Sequence, residues 1–362
     1  MEPNRIAAID ALRGAGAMAV AIMHVYYLLG VSQHLPDIGF IVTHFSAGVM
    51  LFFVVSAFTL CLTYEQKEAN RHARTFLIKR YFRIAPLFYL CILLTWIILS
   101  IKGTTFVNDY SVTSVLANLC LVFNLFPSVQ MASSLTGAGW TIGVEFIFYF
   151  LFPWLAPLLK RPGWLLVLFG VALLAAIYSR SSAKDVYWIN FSIVAHMPTF
   201  LAGMLLYLVW KVARTWETAI QDRVGAALGV MFLASAITII WKPPAGWIMH
   251  LAWSGAFLFL TLSLLLRPIG LFTNRTALFL GKVSYSIYLL HPVVITIQSS
   301  WFGKVLPMRA LIIYASVFGL LLPVAWLSFT FIEEPFNALA RRLTSRLLGR
   351  DRTKPAIAAA TP

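Results

Sequence analysis

The chain has 362 residues, of which 60% are hydrophobic and 11% are charged, and its mean hydropathy is +0.83. A soluble globular domain is about half apolar and about a quarter charged, so this composition excludes that class. The formal net charge of +15 would suit nucleic acid, but basic residues in a membrane protein first report orientation. We therefore expect an all-α integral membrane protein, with membrane lipid around it and no nucleic-acid partner.

Apolar runs long enough to cross a hydrocarbon core recur along the whole chain. The first run has no clear cleavage site, so we expect it to be kept as a span and not removed as a signal peptide. The apolar piece 114–127 is shorter, which is typical of a re-entrant or interfacial segment. We predict ten transmembrane helices, at 6–29, 41–63, 84–101, 140–159, 164–179, 190–210, 224–241, 248–266, 283–301 and 309–332.

The lysines and arginines predict an orientation. With both termini cytoplasmic, most of the 28 basic residues fall on the cytoplasmic side, as the positive-inside rule requires. Counting 114–127 as a full span would move the later basic loops outside, so the charges argue against it. The predicted organisation is a transmembrane domain over 1–340 and a basic, disordered cytoplasmic tail over 341–362. The basic residues left outside are Lys102, Arg180, Lys184, Lys242, Lys304 and Arg309.

The first span, DALRGAGAMAVAIMH, carries ionisable residues inside an apolar run. At 100° per residue, Arg13 and His24 lie within about 20° of one direction, and Asp10 shares that face. His24 lies roughly 16 Å farther from the cytoplasm than Arg13 at 1.5 Å rise per residue. Ionisable residues in a membrane indicate a functional site, or an interfacial ion pair with a histidine hydrogen-bonded between helices. The residues between them are small or slim: Ala17, Val20 and Ala21.

Two further stretches place charge in apolar surroundings. In KRYFRIAP, Arg80 and Arg83 are one helical turn apart, so they can grip phosphate oxygens or serve as a positive-inside anchor. In GWTIGVEFIFY, the carboxylate of Glu145 follows Trp140 and precedes Tyr149 by one turn. A buried carboxylate either pairs structurally with another helix or faces the same cavity as the histidine of the first span.

The stretch SYSIYLLHP places Ser284, Tyr288 and His291 at spacings of four and three, hence on one helix face. A second membrane histidine makes a polar interior more credible, although a lone histidine is often a packing residue. In FIEEPF, Glu333 and Glu334 can neutralise the basic face. The three cysteines have no metal-type spacing, so we predict no metal site.

The order of the stretches DALRGAGAMAVAIMH, FFVVSAF, KRYFRIAP, GWTIGVEFIFY, SYSIYLLH and EEP resembles the membrane acyltransferase-3 family, which includes bacterial O-acetyltransferases of surface polysaccharides and related glycans. The resemblance runs from about residue 5 to 336. Its most specific element is an arginine and a histidine separated by ten residues, here Arg13 and His24. One departure is Ala57 in FFVVSAF, where relatives usually have glycine.

The resemblance implies transfer of an acyl group, typically acetyl, from cytoplasmic acyl-CoA to a hydroxyl of an extracytoplasmic or lipid-linked carbohydrate. It also implies a multi-pass protein of the inner (plasma) membrane that uses no metal. A histidine in such a site acts as base or carries the acyl group itself. The implied catalytic residues are His24, Arg13, Asp10 and Glu145; acetyl-CoA would be bound by Arg80, Arg83 and Arg13, and the carbohydrate acceptor by Trp140, Tyr149, Tyr288 and His291.

A transporter of a small anionic solute or an acyl carrier could use the same polar slot without chemistry. Many such proteins are built from inverted repeats, and the DALRG and SYSIYLLH blocks have no convincing echo elsewhere in the chain. The enzyme is therefore the favoured hypothesis. Release of CoA from acetyl-CoA separates the two.

Overall fold

The computed structural model describes residues 3–66, 72–103, 111–126, 135–182, 186–244, 246, 248–299 and 310–348. Over these residues the chain is helical and forms no β-strand. The α-helices are α1 Pro3–Leu28, α2 Gly39–Val42, α3 Gly48–Gln66, α4 Ala73–Ile101, α5 Val112–Leu119, α6 Trp140–Leu155, α7 Pro162–Ser182, α8 Val186–Phe191, α9 Ile193–Ala213, α10 Thr218–Trp241, α11 Ile248–Leu266, α12 Arg275–Lys282, α13 Ser284–Gln298, α14 Ala310–Ser328 and α15 Glu334–Leu347.

Within the described ranges, nine helical segments are long and apolar enough to cross a membrane. The pair α12 and α13, bent by 69° at one residue, makes a tenth if it counts as one span. This confirms the all-α architecture of about ten spans. The segment predicted to be too short contains the eight-residue α5 and a single 3₁₀ turn at Phe123–Leu125, and its last residue, Pro127, lies outside the described part.

Among the boundaries that differ from the predicted ones, two affect the basic residues. Helix α4 begins at Ala73 and not at 84, so its first turns already carry the paired arginines. Helix α15 continues to Leu347, so the boundary predicted at 340 falls inside a helix. Ala340 and Thr344 are buried on that helix, which packs against α4, and this contact explains why the basic sequence stays helical there. The rest of the predicted tail, 349–362, lies outside the described residues.

Helices α1 and α3 form the centre of the bundle. Helix α1 packs against α3, α12 and α13, while α3 also packs against α9 and α11. Glycine allows the closest of these approaches: a Cβ on Gly14 would lie 2.6 Å from the backbone nitrogen of Gly281 in α12. At the α3–α9 crossing, a Cβ on Gly203 would lie 2.9 Å from the Cβ of Ala57. The two helices can therefore approach closely with alanine at position 57 because the facing residue on α9 is a glycine.

The other helices surround this centre to different degrees. In the segment Pro36–Gln66, which contains α3, 78% of the most apolar stretch is buried inside the bundle, against 17% for α7 and for α10. The outer helices α7 and α10 therefore face lipid, whereas Arg13, Arg83 and Glu145 line a cavity inside the bundle.

Candidate active site

A small cavity of about 50 Å³ lies among α1, α3, α4, α6 and α13, and we call it the inner cavity. It collects polar side chains from helices that are far apart in sequence. Arg13 comes from α1, Arg83 from α4, and Glu145 and Tyr149 come from α6. Tyr288 of α13 closes one side.

Two hydroxyl groups hold the carboxylate of Glu145 in the inner cavity. Ser56 Oγ, on α3, donates to Glu145 Oε1 at 2.5 Å, and the hydroxyl of Tyr149 donates to the same oxygen. Because Ser56 lies on another helix, the carboxylate ties α6 to the centre of the bundle. A half-buried carboxylate with two hydroxyl donors keeps a fixed position, which a group that orients a substrate or an arginine needs.

Arg13 sits at the edge of the same cavity and is held from two directions. Its Nη2 donates to Thr59 Oγ1 at 2.8 Å, and its Nη1 lies 3.5 Å from Asp10 Oδ1. The side chain of Arg13 is 16% exposed and that of Asp10 is 49% exposed. Asp10 therefore stands at the rim of the bundle, where it partners Arg13 without entering the cavity lining.

A second cavity, of about 290 Å³, shares Arg83 with the inner cavity, and we call it the basic cavity. Lys79 and Arg80 line it from α4, and Asn337 and Arg341 line it from α15. No carboxylate is among the described residues that line it. The basic cavity therefore gathers positive charge beside the inner cavity.

Arg80 is fixed by aromatic rings. Its guanidinium carbon lies 5.3 Å from the ring centres of both Phe76 and Tyr149. Cation–π contacts of this kind hold a guanidinium group in place while its N–H groups remain available to an anion.

The largest of these three cavities, about 620 Å³, lies beyond Tyr288, and we call it the outer cavity. His24 of α1, Trp140 of α6 and His250 of α11 line it together with Asn190. The Trp140 ring packs against Phe191 and His196, at centre-to-centre distances of 4.7 and 5.4 Å. The lining of the outer cavity combines aromatic rings with hydrogen-bonding groups such as the Asn190 amide, and this combination suits a sugar.

His24 is paired with the second membrane histidine. His24 Nδ1 lies 2.9 Å from His291 Nε2, and the two rings stack with centres 4.9 Å apart and an angle of 25°. His291 has no exposed surface, whereas His24 faces the outer cavity. The pair brings together two residues that lie 267 positions apart.

Tyr288, one turn before His291, borders both the inner and the outer cavity. Its hydroxyl accepts a hydrogen bond from Thr141 Oγ1 and donates one to the carbonyl of Ala138, both at 3.0 Å. The ring is thus pinned in the wall between the two cavities.

Every site residue proposed from the sequence lies at one of these three cavities or touches a residue that does, but the grouping differs from expectation. Glu145 does not share a cavity with His24, because Tyr288 stands between them, and the imidazole of His24 is hydrogen-bonded to His291. Tyr149, expected near the carbohydrate, lies in the inner cavity. On the small-residue face of α1, Val20 lines the outer cavity, while Ala17 and Ala21 are fully buried.

Sequence reasoning missed several residues of these cavities. Ser56 lies in the quoted block FFVVSAF, and its signal was a lone hydroxyl in an apolar run. Arg341 was assigned to the tail because its contact with α4 is not visible in the sequence. His250 carried the same signal as the other membrane histidines. Among the described residues, no group of three or more His, Cys, Asp or Glu could hold a metal ion.

The chain is similar in sequence to known proteins. A family model described as an acyltransferase domain matches residues 6–330. The chain is 25% identical to the peptidoglycan O-acetyltransferase OatA of Listeria monocytogenes, over 92% of this chain and 56% of that protein. It is 24% identical to ORF330 of the Acidianus two-tailed virus, which is named only provisionally as an acetyltransferase, over 80% of this chain and 84% of that one. The chain therefore spans little more than half of the Listeria protein. No solved structure matches it.

Proposed function

The chain belongs to the acyltransferase family whose domain model spans residues 6–330, and from that membership we propose that it is an inner-membrane O-acetyltransferase. It moves acetyl from cytoplasmic acetyl-CoA to a hydroxyl of a cell-envelope carbohydrate. The similarity to a peptidoglycan O-acetyltransferase makes peptidoglycan the first acceptor to test. The observation that carries the proposal is that Arg13 and His24, on one helix, open into two cavities that meet at Tyr288.

The donor enters through the basic cavity, with both chain termini on the cytoplasmic side, as the basic loops predict. CoA carries a diphosphate and a 3′-phosphate, so its nucleotide end is strongly anionic. Arg80, Arg83 and Arg341 present guanidinium groups to one space there, with Lys79 beside them. Guanidinium groups bind phosphate oxygens through paired, charge-assisted hydrogen bonds.

The pantetheine arm of the donor leads from the basic cavity into the inner cavity, because Arg83 borders both. At about 50 Å³ the inner cavity has room for only a few water molecules. The arm can therefore reach His24 only if side chains move, and Tyr288 is the one in the dividing wall. Donor binding and opening of that wall are then one event.

At His24 the proposed reaction joins the two substrates. His24 Nε2 removes the proton from the acceptor hydroxyl as its oxygen attacks the thioester carbon. The carbon–sulfur bond then breaks, and the CoA thiolate takes the proton from His24, giving the acetyl ester and CoA.

A second order of events uses the same nitrogen. His24 Nε2 attacks the thioester carbon first, CoA leaves as thiolate, and the acceptor oxygen then takes the acetyl group from the imidazole. The hydroxyl proton passes to His24 and from there to the thiolate. Both orders require a lone pair on His24 Nε2.

The acceptor binds in the outer cavity. The ring of Trp140, packed on Phe191, offers an apolar face on which a sugar ring can stack, and His250 and Asn190 offer hydrogen bonds to hydroxyl groups. The volume of about 620 Å³ is sufficient for a sugar unit at the transfer point.

The test uses the purified protein in lipid nanodiscs with acetyl-labelled acetyl-CoA. We expect CoA release to depend on a carbohydrate acceptor, with the label recovered in an alkali-labile ester; peptidoglycan fragments and other envelope glycans are compared. No CoA release with any of these acceptors, together with uptake of labelled solute into proteoliposomes, would favour the transporter.

A further inference from the structure

The pairing of His24 with His291 carries information about the proton on each ring. A neutral imidazole donates through one nitrogen and accepts through the other, so in a histidine–histidine hydrogen bond one ring must donate and the other accept. With His24 Nδ1 2.9 Å from His291 Nε2, only two arrangements are possible. In one, His24 donates and its Nε2 is left bare; in the other, His24 accepts and its Nε2 carries the proton.

The place of His24 in the outer cavity favours the first arrangement. His291 holds Nδ1 of His24, so Nε2 is the ring nitrogen that can meet a substrate in that cavity. The proposed transfer needs a lone pair on that nitrogen, and a neutral ring with a bare Nε2 carries its proton on Nδ1. His291 Nδ1 has no hydrogen-bond partner among the described residues, so the bond to His24 is the one that fixes the His291 ring.

We propose that His291 is a positioning residue that accepts the Nδ1 proton of His24 and thereby leaves His24 Nε2 as a free lone pair facing the outer cavity. The inference rests on the proposed function, because that lone pair is what the transfer requires. His291 therefore positions His24 and is not one of the residues that bind the acceptor.

The surroundings of the pair suit this role. His291 is fully buried, its ring is stacked on that of His24, and Tyr288 lies against it at 5.7 Å, so its orientation is fixed. When His24 takes a proton it becomes an imidazolium, and the same hydrogen bond to His291 Nε2 becomes charge-assisted and stronger. A neutral histidine thus takes the place that a buried carboxylate has behind the histidine of a catalytic triad.

The tautomer can be measured without any turnover. Protein labelled with ¹⁵N-histidine has seven histidines, and the His24 resonances are those that disappear in His24→Gln. At neutral pH we expect a protonated Nδ1 and an unprotonated Nε2 on His24, and a loss of this preference in His291→Met. A proton on His24 Nε2 in the wild type would overturn the proposal, as would an unchanged His24 spectrum in His291→Met.

Two variants of similar size separate positioning from packing. His291→Gln can place an oxygen acceptor near the position of Nε2, whereas His291→Met fills the same space without one. We expect His291→Met to lower kcat about 10²-fold with the KM for acetyl-CoA unchanged, and His291→Gln to recover at least about tenfold of that loss. Equal losses in the two variants, or full activity in His291→Met, would contradict the proposal.

Failure of this proposal is distinguishable from failure of the proposed function. If the wild type releases no CoA with any acceptor, the acetyltransferase assignment fails, and the NMR experiment still decides whether His291 holds the Nδ1 proton. If transfer is observed and the two His291 variants behave alike, the function stands and the positioning role is wrong.

Discussion

The inner and outer cavities are built by overlapping sets of helices yet differ in chemistry. The inner cavity concentrates charge, with Arg13, Arg83 and Glu145 in a space of about 50 Å³. The outer cavity is more than ten times larger and offers His24 and His250 among aromatic and neutral groups. Charge in a membrane interior is costly unless a partner compensates it. The charged side chains Arg13, Arg83 and Glu145 therefore lie next to the basic cavity, whereas the outer cavity presents His24, which the proposed reaction uses as a neutral ring.

Tyr288 lines both the inner and the outer cavity and separates one from the other. Its hydroxyl is hydrogen-bonded to Thr141 of α6 and to the carbonyl of Ala138 just before that helix, while the next turn of its own helix carries His291, which holds His24. A displacement of this ring would open the inner cavity and disturb the histidine pair together. The four variants below test whether the two sides carry the separate tasks proposed for them.

Removing the His24 imidazole should have the largest effect, and this effect should be on transfer in the outer cavity and not on donor binding. His24→Gln deletes the lone pair needed for transfer, so we expect acetyl transfer to fall about 10³-fold while the affinity for acetyl-CoA stays within about twofold. Product formation and equilibrium binding of labelled acetyl-CoA measure the two separately. His34→Gln, in the turn after α1, is the matched control and should be active. Substantial transfer by His24→Gln would remove His24 from the reaction.

Neutralising the carboxylate tests the inner side. Glu145→Gln can still accept hydrogen bonds from Ser56 and Tyr149 but removes the carboxylate that shares the inner cavity with Arg13 and Arg83, while Arg13 keeps its contact with Asp10. Loss of a charged partner in a partly buried polar group costs about 1–3 kcal/mol, so we expect kcat/KM to fall up to about 10²-fold and thermal stability to drop. Ser56→Ala keeps the charge and should lose less than about tenfold. The opposite ranking of these variants would show that hydrogen bonding, and not charge, is what Glu145 supplies.

Removing a cation from the basic cavity should change donor binding alone. Arg341→Gln takes away one charge-assisted phosphate contact, worth about 1.5–3 kcal/mol, so the KM for acetyl-CoA should rise about tenfold with kcat unchanged. The KM for acetyl-pantetheine, which lacks the nucleotide, should not change. Arg342→Gln is the matched control, since its side chain is exposed on the same helix and is not part of the cavity lining. Equal effects of the two variants would mean that Arg341 helps to orient the protein in the membrane and does not bind the donor.

Loosening the wall should give the smallest effect. Tyr288→Phe removes the two hydrogen bonds of the hydroxyl, each worth about 1 kcal/mol, and keeps the ring. We expect CoA release without acceptor to rise a few-fold, because water from the outer cavity then reaches the thioester more easily, while acceptor-dependent transfer changes less. CoA release measured with and without carbohydrate checks this. An unchanged ratio of the two rates would mean that the hydroxyl does not seal the wall.

The sequence was sufficient to predict the spans, because hydropathy and helical periodicity are local properties. It also identified Arg13, His24, Arg80, Arg83 and Glu145, since an ionisable residue in an apolar run is visible in a single segment. The helix ends were less accurate. The turns of α4 before residue 84 and of α15 after residue 340 carry polar residues and are helical where packing between these two helices supports them.

The sequence by itself determined the membrane architecture. It also showed which polar residues lie in apolar spans, where their burial is costly unless a partner or a cavity receives them. The tertiary structure decided how they combine: Glu145 with Ser56, 89 positions away, and His24 with His291 across almost the whole chain. It also placed Tyr288 between the two groups and Arg341 beside Arg83. Periodicity fixes the face of a helix on which a residue lies, but the partner of that face depends on how the helices cross, and the crossings are set by close contacts such as that of Gly14 with Gly281.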